Sequence, residues 1–277
     1  MVEEKLAQLQ RRLADEGGVL VAFSGGADSA FLLAAAARAL DVDNVVAATA
    51  VSASLPAQEL AAAADFAASL GVRHVTPHTD EMSRDGYRAN AGDRCYFCKA
   101  ELLDVLTPLA NDLGLPAVAT GTNADDVVAG FRPGIRAAAE RGAITPLRDA
   151  GLTKQEIREA SRDWGLVTWD KPAAACLSSR IAYGIEVTPR RLARVERAET
   201  SLRSALHDAG IPVRNLRVRD LGDHARVEVD HEYVEPVAGT LPMITALLAD
   251  FAEIEVDPRG FRSGAMNELL AEPQRWR

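Results

Sequence analysis

Cysteine is scarce: the chain has three in 277 residues. Three thiols at uneven spacing cannot build a disulfide framework, which excludes the stapled secreted domains. Long apolar runs are missing too. No stretch reaches the ~18 consecutive apolar residues of a membrane helix. The opening Met1-Val2-Glu3-Glu4-Lys5-Leu6 is charged and helical in pattern, unlike a signal peptide. A cytoplasmic protein with no membrane partner is expected. There is no basic excess, since the net charge is −9. That argues against a broad phosphate-backbone footprint, so no nucleic-acid partner is expected. Internal repeats and low-complexity tails are absent. So are the Gly-Lys-Ser/Thr ending of a Walker loop and the Gly-x-Gly-x-x-Gly of dinucleotide folds.

What is present is a different phosphate loop. Val19-Leu20-Val21-Ala22-Phe23 reads as a buried strand, Ser24-Gly25-Gly26-Ala27-Asp28-Ser29 as a tight turn, and Ala30 to Ala37 as a helix. Unpaired N–H groups and the positive end of the helix dipole make such a junction an anion site. Gly25 and Gly26 let the backbone come close, and Ser24 and Ser29 add hydroxyl donors. The stretch resembles the SGGxDS pyrophosphate loop of the PP-loop, N-type ATP pyrophosphatases.

The rest of the first half alternates short apolar strands with helices. Residues about 2–15 form an amphipathic helix through Leu6, Leu9 and Leu13. Strands are expected at Asn44–Ala50, Val72–Pro77 and Ala117–Thr120, and helices at Ala57–Leu70 and Ala100–Leu113. This predicts an α/β domain with a Rossmann-like parallel sheet, its ligands at the carboxyl ends of the strands. The loop at Ser52 and the segment after Pro77 should share that crevice with Ser24. A turn is read at Arg132-Pro133-Gly134. Thr153 and Glu156 have capping-box spacing for a helix to Trp164. The first domain is placed at 1–170 and a smaller α+β domain at 171–277. The second carries a long helix from Thr188-Pro189 to His207, strands at Leu216–Arg219 and Ala225–Val229 turning at Gly222, a helix over Leu241–Phe251 and a strand at Glu253–Val256.

Three groups of residues carry candidate chemistry. Cys95 and Cys98 have two residues between them and Cys176 stands alone. They fit a structural zinc completed by His74 or His78, a redox pair, a three-thiolate [4Fe-4S] site, or free thiols. Gly121-Thr122-Asn123-Ala124-Asp125-Asp126 suits a second ligand loop, in which the two acids either hold Mg2+ or cap the next turn. Arg217 and Arg219 share one face of a strand, which suits a phosphate or a solvated surface.

Four longer motifs sharpen this. Arg94-Cys95-Tyr96-Phe97-Cys98-Lys99, Gly121 to Asp126, Lys171-Pro172-Ala173-Ala174-Ala175-Cys176-Leu177-Ser178-Ser179-Arg180, and Gly260 to Asn267 resemble LarE, the ATP-dependent sulfurtransferases of nickel-pincer nucleotide cofactor biosynthesis. The resemblance spans nearly the whole chain. It implies a PP-loop, adenine nucleotide alpha hydrolase-like fold. It also implies adenylation of a pyridinium-3,5-biscarboxylic acid mononucleotide by Mg-ATP, followed by attack of sulfur to give a thiocarboxylate. The implied ATP site is Ser24, Gly25, Gly26, Asp28, Ser29, Ser52, Gly121, Thr122 and Asp125, with Asp28 and Asp126 on Mg2+. Ser179, Arg180, Arg217 and Arg219 would hold the substrate phosphate, and Cys176 and Glu228 would be catalytic. Sulfur would come from Cys176 itself or from a sulfide on a [4Fe-4S] cluster held by Cys95, Cys98 and Cys176, the route the three thiolates favour. Homo-oligomers are implied. Asp220 stands where the family pattern has a histidine. The rival readings are a tRNA thiolase, which tRNA binding would reveal, and an ammonia-using synthetase, which would not need the cysteines.

Overall fold

Val19-Leu20-Val21-Ala22 is apolar at every position, as a strand covered on both faces must be. It forms β1 (Val19–Ala22) in a four-stranded sheet. The computed structural model describes residues 2–128, 133–172 and 175–270. Helix α1 (Val2–Glu16) precedes β1. Helix α2 (Ala27–Ala39), β2 (Val45–Ala48), α3 (Ala57–Ser69), β3 (Arg73–Val75), α4 (Asp85–Arg88), α5 (Arg94–Asp112), β4 (Ala117–Thr120), α6 (Ala124–Val128), α7 (Pro133–Glu140), α8 (Pro146–Asp149) and α9 (Lys154–Asp163) follow. The four strands are parallel in the order β3-β2-β1-β4. The order reverses between β1 and β4, which places the switch point beside the Ser24 loop.

The pleat of β1 sends alternate side chains to opposite faces. Val19 and Val21 enter a core with Leu9, Leu13, α2 and Ile157, while Leu20 enters one with Val46, Leu103, Leu106 and Val118. Helix α2 is buried from Ser29 through Ala36, which is why it is apolar nearly all round. Phe31 packs on Trp164 with ring centroids 4.7 Å apart. Thr153 and Glu156 form the expected capping box at the start of α9. The turn read at Arg132-Pro133-Gly134 falls partly outside the described residues: Arg132 is not among them, and Pro133 opens α7.

Helix α5 departs from the expectation. It starts at Arg94 instead of Ala100, so Cys95 and Cys98 lie in its first turns, three apart on one face. Tertiary contacts explain the extra length. Tyr96 Oη donates to Glu140 on α7, and the Arg136 guanidinium sits 4.7 Å from the Tyr96 ring centroid.

Residues 2–84 and 93–172 make one compact unit, and 85–92 with 175–270 make a second. The second contains α10 (Pro189–Asp208), β5 (Leu216–Asp220), β6 (His224–Val229), α11 (Val234–Ala238), α12 (Leu241–Leu247) and β7 (Glu253–Val256). Strands β5 and β6 form an antiparallel hairpin, and β7 pairs parallel to β6. Leu202, Leu206, Val218, Val227, Ile244 and Phe251 fill its core. The predicted helix over Leu241–Phe251 stops at Leu247.

The segment 85–92 is held by Asn90, which is fully buried with φ of 52°. Asparagine tolerates that left-handed backbone better than most residues. Its Nδ2 donates to the carbonyls of Ala182 and Ile185 at 2.8 Å each. Asp220 is fully buried. It accepts from Arg191 at 2.7 Å, Arg194 at 2.5 Å and the Gly222 N–H at 3.0 Å, tying α10 to the hairpin turn.

Candidate functional site

A cleft of about 390 Å³ opens at the carboxyl ends of β1, β2 and β4. Ser24, Gly26, Asp28 and Ser29 line it from the β1 loop, Thr49 and Ala50 from β2, and Thr120, Gly121 and Thr122 from β4. The Ser24 loop is internally wired. Ser29 Oγ donates to Gly26 O at 3.1 Å and accepts from the Ser24 N–H at 3.3 Å. Gly25 has φ of 69°, which a side chain would strain. Gly121 is needed for a different reason. A Cβ there would lie 2.9 Å from Ser29 N, so only glycine lets the β4 loop reach the start of α2.

Four cations line the cleft: Lys99, Lys154, Arg158 and Lys171. Lys154 and Arg158 are four apart on α9 and share a face. Lys171 Nζ donates to Gly25 O at 3.0 Å and pairs with Glu59 at 2.7 Å. Burial lowers the pKa of Lys99, while Cys98, Cys95 and Asp126 pull it back up. With the N-terminus of α2, these groups form a receptor for several negative charges.

Two acids face them. Burial raises the Asp28 carboxyl above its usual 3.8, and Asp126 adds to the rise, against the lowering pull of Lys154, Asn123 and Arg158. Asp28 Oδ1 is buried with no hydrogen-bond partner. Asp126 Oδ2 accepts from the Asn123 N–H at 3.2 Å. An orphaned carboxylate oxygen beside a second carboxylate fits Mg2+, which takes its remaining ligands from phosphate oxygens and water.

In the second unit, Cys176 sits on a tight turn. Its Sγ is 3.0 Å from Ser178 Oγ, and its carbonyl accepts from Ser179 Oγ at 2.7 Å. Arg217, Arg219 and Glu228 are buried on the β5–β6 hairpin. Arg219 pairs with Glu228 at 2.6 Å, and its Nε is buried with no hydrogen-bond partner. Burial, and then the neighbouring Arg180, push Arg217 down to about 10; Arg219 and Arg203 add to this, and Glu199 opposes it. Guanidinium groups crowded in this way are relieved by an anion.

Other expected residues lie elsewhere. Ser52 turns from the cleft, its Oγ donating to Glu81 at 2.6 Å. Asp125 accepts from the Lys154 N–H at 2.8 Å, at the start of α9 and not in the turn that follows it in sequence. The segment after Pro77 does not line the cleft. His74 Nε2 is 2.8 Å from Thr49 Oγ1, and burial lowers its pKa. The three-thiolate cluster is not supported. Such a cluster needs three converging ligands, and among the described residues no group of three or more His, Cys, Asp or Glu side chains is arranged to hold a metal ion. Cys95 and Cys98 belong to the first unit and Cys176 to the second. Lys99, Lys154, Arg158 and Lys171 were not singled out from sequence. The i, i+4 spacing of Lys154 and Arg158 was the one local signal.

No family model matches the chain. It is 40% identical to an uncharacterized protein of Synechocystis sp. over 98% of this chain and 100% of that protein. It is 34% identical to the pyridinium-3,5-bisthiocarboxylic acid mononucleotide synthase of Lactiplantibacillus plantarum over 98% of this chain and 96% of the relative. An argininosuccinate synthase of Halobacterium salinarum is 30% identical over 52% of this chain and 39% of its own length. Near-complete coverage at this identity, on a parallel α/β sheet with the Ser24 loop at its switch point, makes this chain a member of the LarE family of sulfurtransferases.

Proposed function

We propose that this protein is an ATP-dependent sulfurtransferase that adenylates the carboxylates of pyridinium-3,5-biscarboxylic acid mononucleotide and converts them to thiocarboxylates. The observation that carries the reading is the cleft at the switch point, with four cations around the Ser24 loop and a buried carboxylate oxygen of Asp28 that has no hydrogen-bond partner. A carboxylate is a poor electrophile until one of its oxygens becomes a leaving group. Lys99, Lys154, Arg158 and Lys171, with the N–H groups at the start of α2, suit the charge that grows on a departing pyrophosphate. Asp28 and Asp126 would hold Mg2+, which neutralises phosphate charge when bound.

In the second unit, Arg217 and Arg219 would hold the phosphate of the mononucleotide, with Glu228 fixing Arg219 from the paired strand. Cys176 would deliver the sulfur. Its Sγ lies beside the Ser178 hydroxyl and is half-buried, which suits a thiol presented to one bound electrophile. A cytoplasmic homo-oligomer completes the reading, and sedimentation tests the assembly.

The decisive experiment is ATP–pyrophosphate exchange. Exchange is expected only when the pyridinium dicarboxylate mononucleotide is present, with thiocarboxylate appearing in step with AMP. Exchange that requires tRNA instead, or an amide product formed from ammonia, would sink the assignment. Arg217→Ala is expected to raise KM for the mononucleotide while sparing ATP binding, and an unchanged KM removes Arg217 from the phosphate.

A further inference from the structure

Arg180 lies four residues past Cys176, and the family resemblance places it on the substrate phosphate. Its donors are engaged elsewhere. Nε and Nη2 donate to the two carboxylate oxygens of Glu199 at 2.9 and 3.0 Å. Nη1 donates to the carbonyls of Ala175 and Cys176, the latter at 3.0 Å, and lies 3.3 Å from Ser179 Oγ. The side chain is 5% exposed. Glu199 is anchored in turn, since its Oε1 accepts from the Val218 N–H on β5 at 3.0 Å. A guanidinium has five N–H donors in a rigid plane, and this arrangement uses both edges of the fork. Arg219 differs: it keeps a buried Nε with no hydrogen-bond partner.

We infer that Arg180 is a positioning residue for the Cys176 thiol and not a ligand of the substrate phosphate. Its fork ties the carbonyls of the Cys176 turn to Glu199, and through Glu199 to β5. That sets the turn on which Cys176 Sγ meets Ser178 Oγ. A lysine keeps the charge but loses the planar fork, so the two roles separate on one substitution.

The test has a labelling arm and a kinetic arm. Only the kinetic arm rests on the proposed sulfur-transfer reading. In the full chain, alkylation of Cys176 by iodoacetamide is followed on its own peptide by mass spectrometry. Arg180→Lys is expected to speed labelling about tenfold, because local restraint on the turn is lost. It should lower kcat for thiocarboxylate formation about 100-fold, as misplacement of a reacting group does, and leave KM for the mononucleotide within about twofold. Unchanged labelling, with or without a raised KM, overturns the proposal, and a raised KM returns Arg180 to the phosphate. Removing one partner of a buried ion pair can unfold a protein, so the paired Arg180→Gln, Glu199→Gln variant is run beside it. That variant leaves no unpaired charge. It should melt cooperatively and still label fast, and labelling at the parental rate would equally overturn the proposal. A wild-type protein that makes no thiocarboxylate refutes the proposed function and leaves the labelling arm readable.

Discussion

At the scale of single residues, Asp28 sets stability against function. Its carboxyl is raised above the usual 3.8, with burial the largest cause. Between the usual and the raised value, the folded chain holds more protons than the unfolded one. Stability therefore falls as pH rises through that window, and the penalty stays constant above the raised value. Below the usual value both states are protonated and the penalty vanishes. Asp28→Asn is accordingly expected to melt higher than the parent at pH 7 without ligands, and to lose Mg2+-dependent nucleotide binding. An equal or lower melting temperature at pH 7 would refute the burial argument. Lys171→Met should lose about 10- to 100-fold in affinity for Mg-pyrophosphate by titration calorimetry, the worth of one charge-assisted contact; unchanged affinity would exclude Lys171 from that site. The Ser24 loop was legible in sequence because all its parts are local. Lys171 was not, because it meets Gly25 across 146 residues of chain.

At the scale of elements, local signals held where they were self-sufficient. The capping box at Thr153 is a purely local device, and Thr153→Ala should cost about 1 kcal/mol in urea unfolding. The start of α5 was misjudged because its first turns depend on the clasp of Tyr96 by Arg136 and Glu140, residues of another helix. Asn90 depends on context more heavily still. Its left-handed backbone serves a hydrogen-bond set some 90 residues away in sequence. Asn90→Ala strips those bonds and strains the backbone, and should destabilise the second unit by about 2–4 kcal/mol. A change below about 0.5 kcal/mol, the ordinary surface range, would show that segment 85–92 is held by other contacts.

At the scale of the whole chain, the net charge of −9 argues against a nucleic-acid partner. Salt-dependent tRNA binding is therefore expected to be undetectable, and a steep salt slope would revive the thiolase reading. The proposed sulfur supply is tested at this scale too. With Cys176 as the proposed sulfur donor, anaerobically purified protein is expected to carry little iron or acid-labile sulfide. Cys176 should lose the elements of hydrogen sulfide on turnover. Stoichiometric iron with an intact Cys176 would reverse that expectation.

Composition, periodicity and short motifs determined the parallel α/β class, the anion loop, the helix caps and the hairpin at Gly222, because each follows from interactions within a few residues or from burial averaged over an element. Tertiary structure decided which charges meet the loop. It also assigned Ser52 to Glu81, Asp125 to the start of α9 and Asp220 to two arginines, and it transferred residues 85–92 to the second unit. Those outcomes depend on side chains brought together from distant parts of the chain, where a buried charge takes the nearest partner that lowers its desolvation cost.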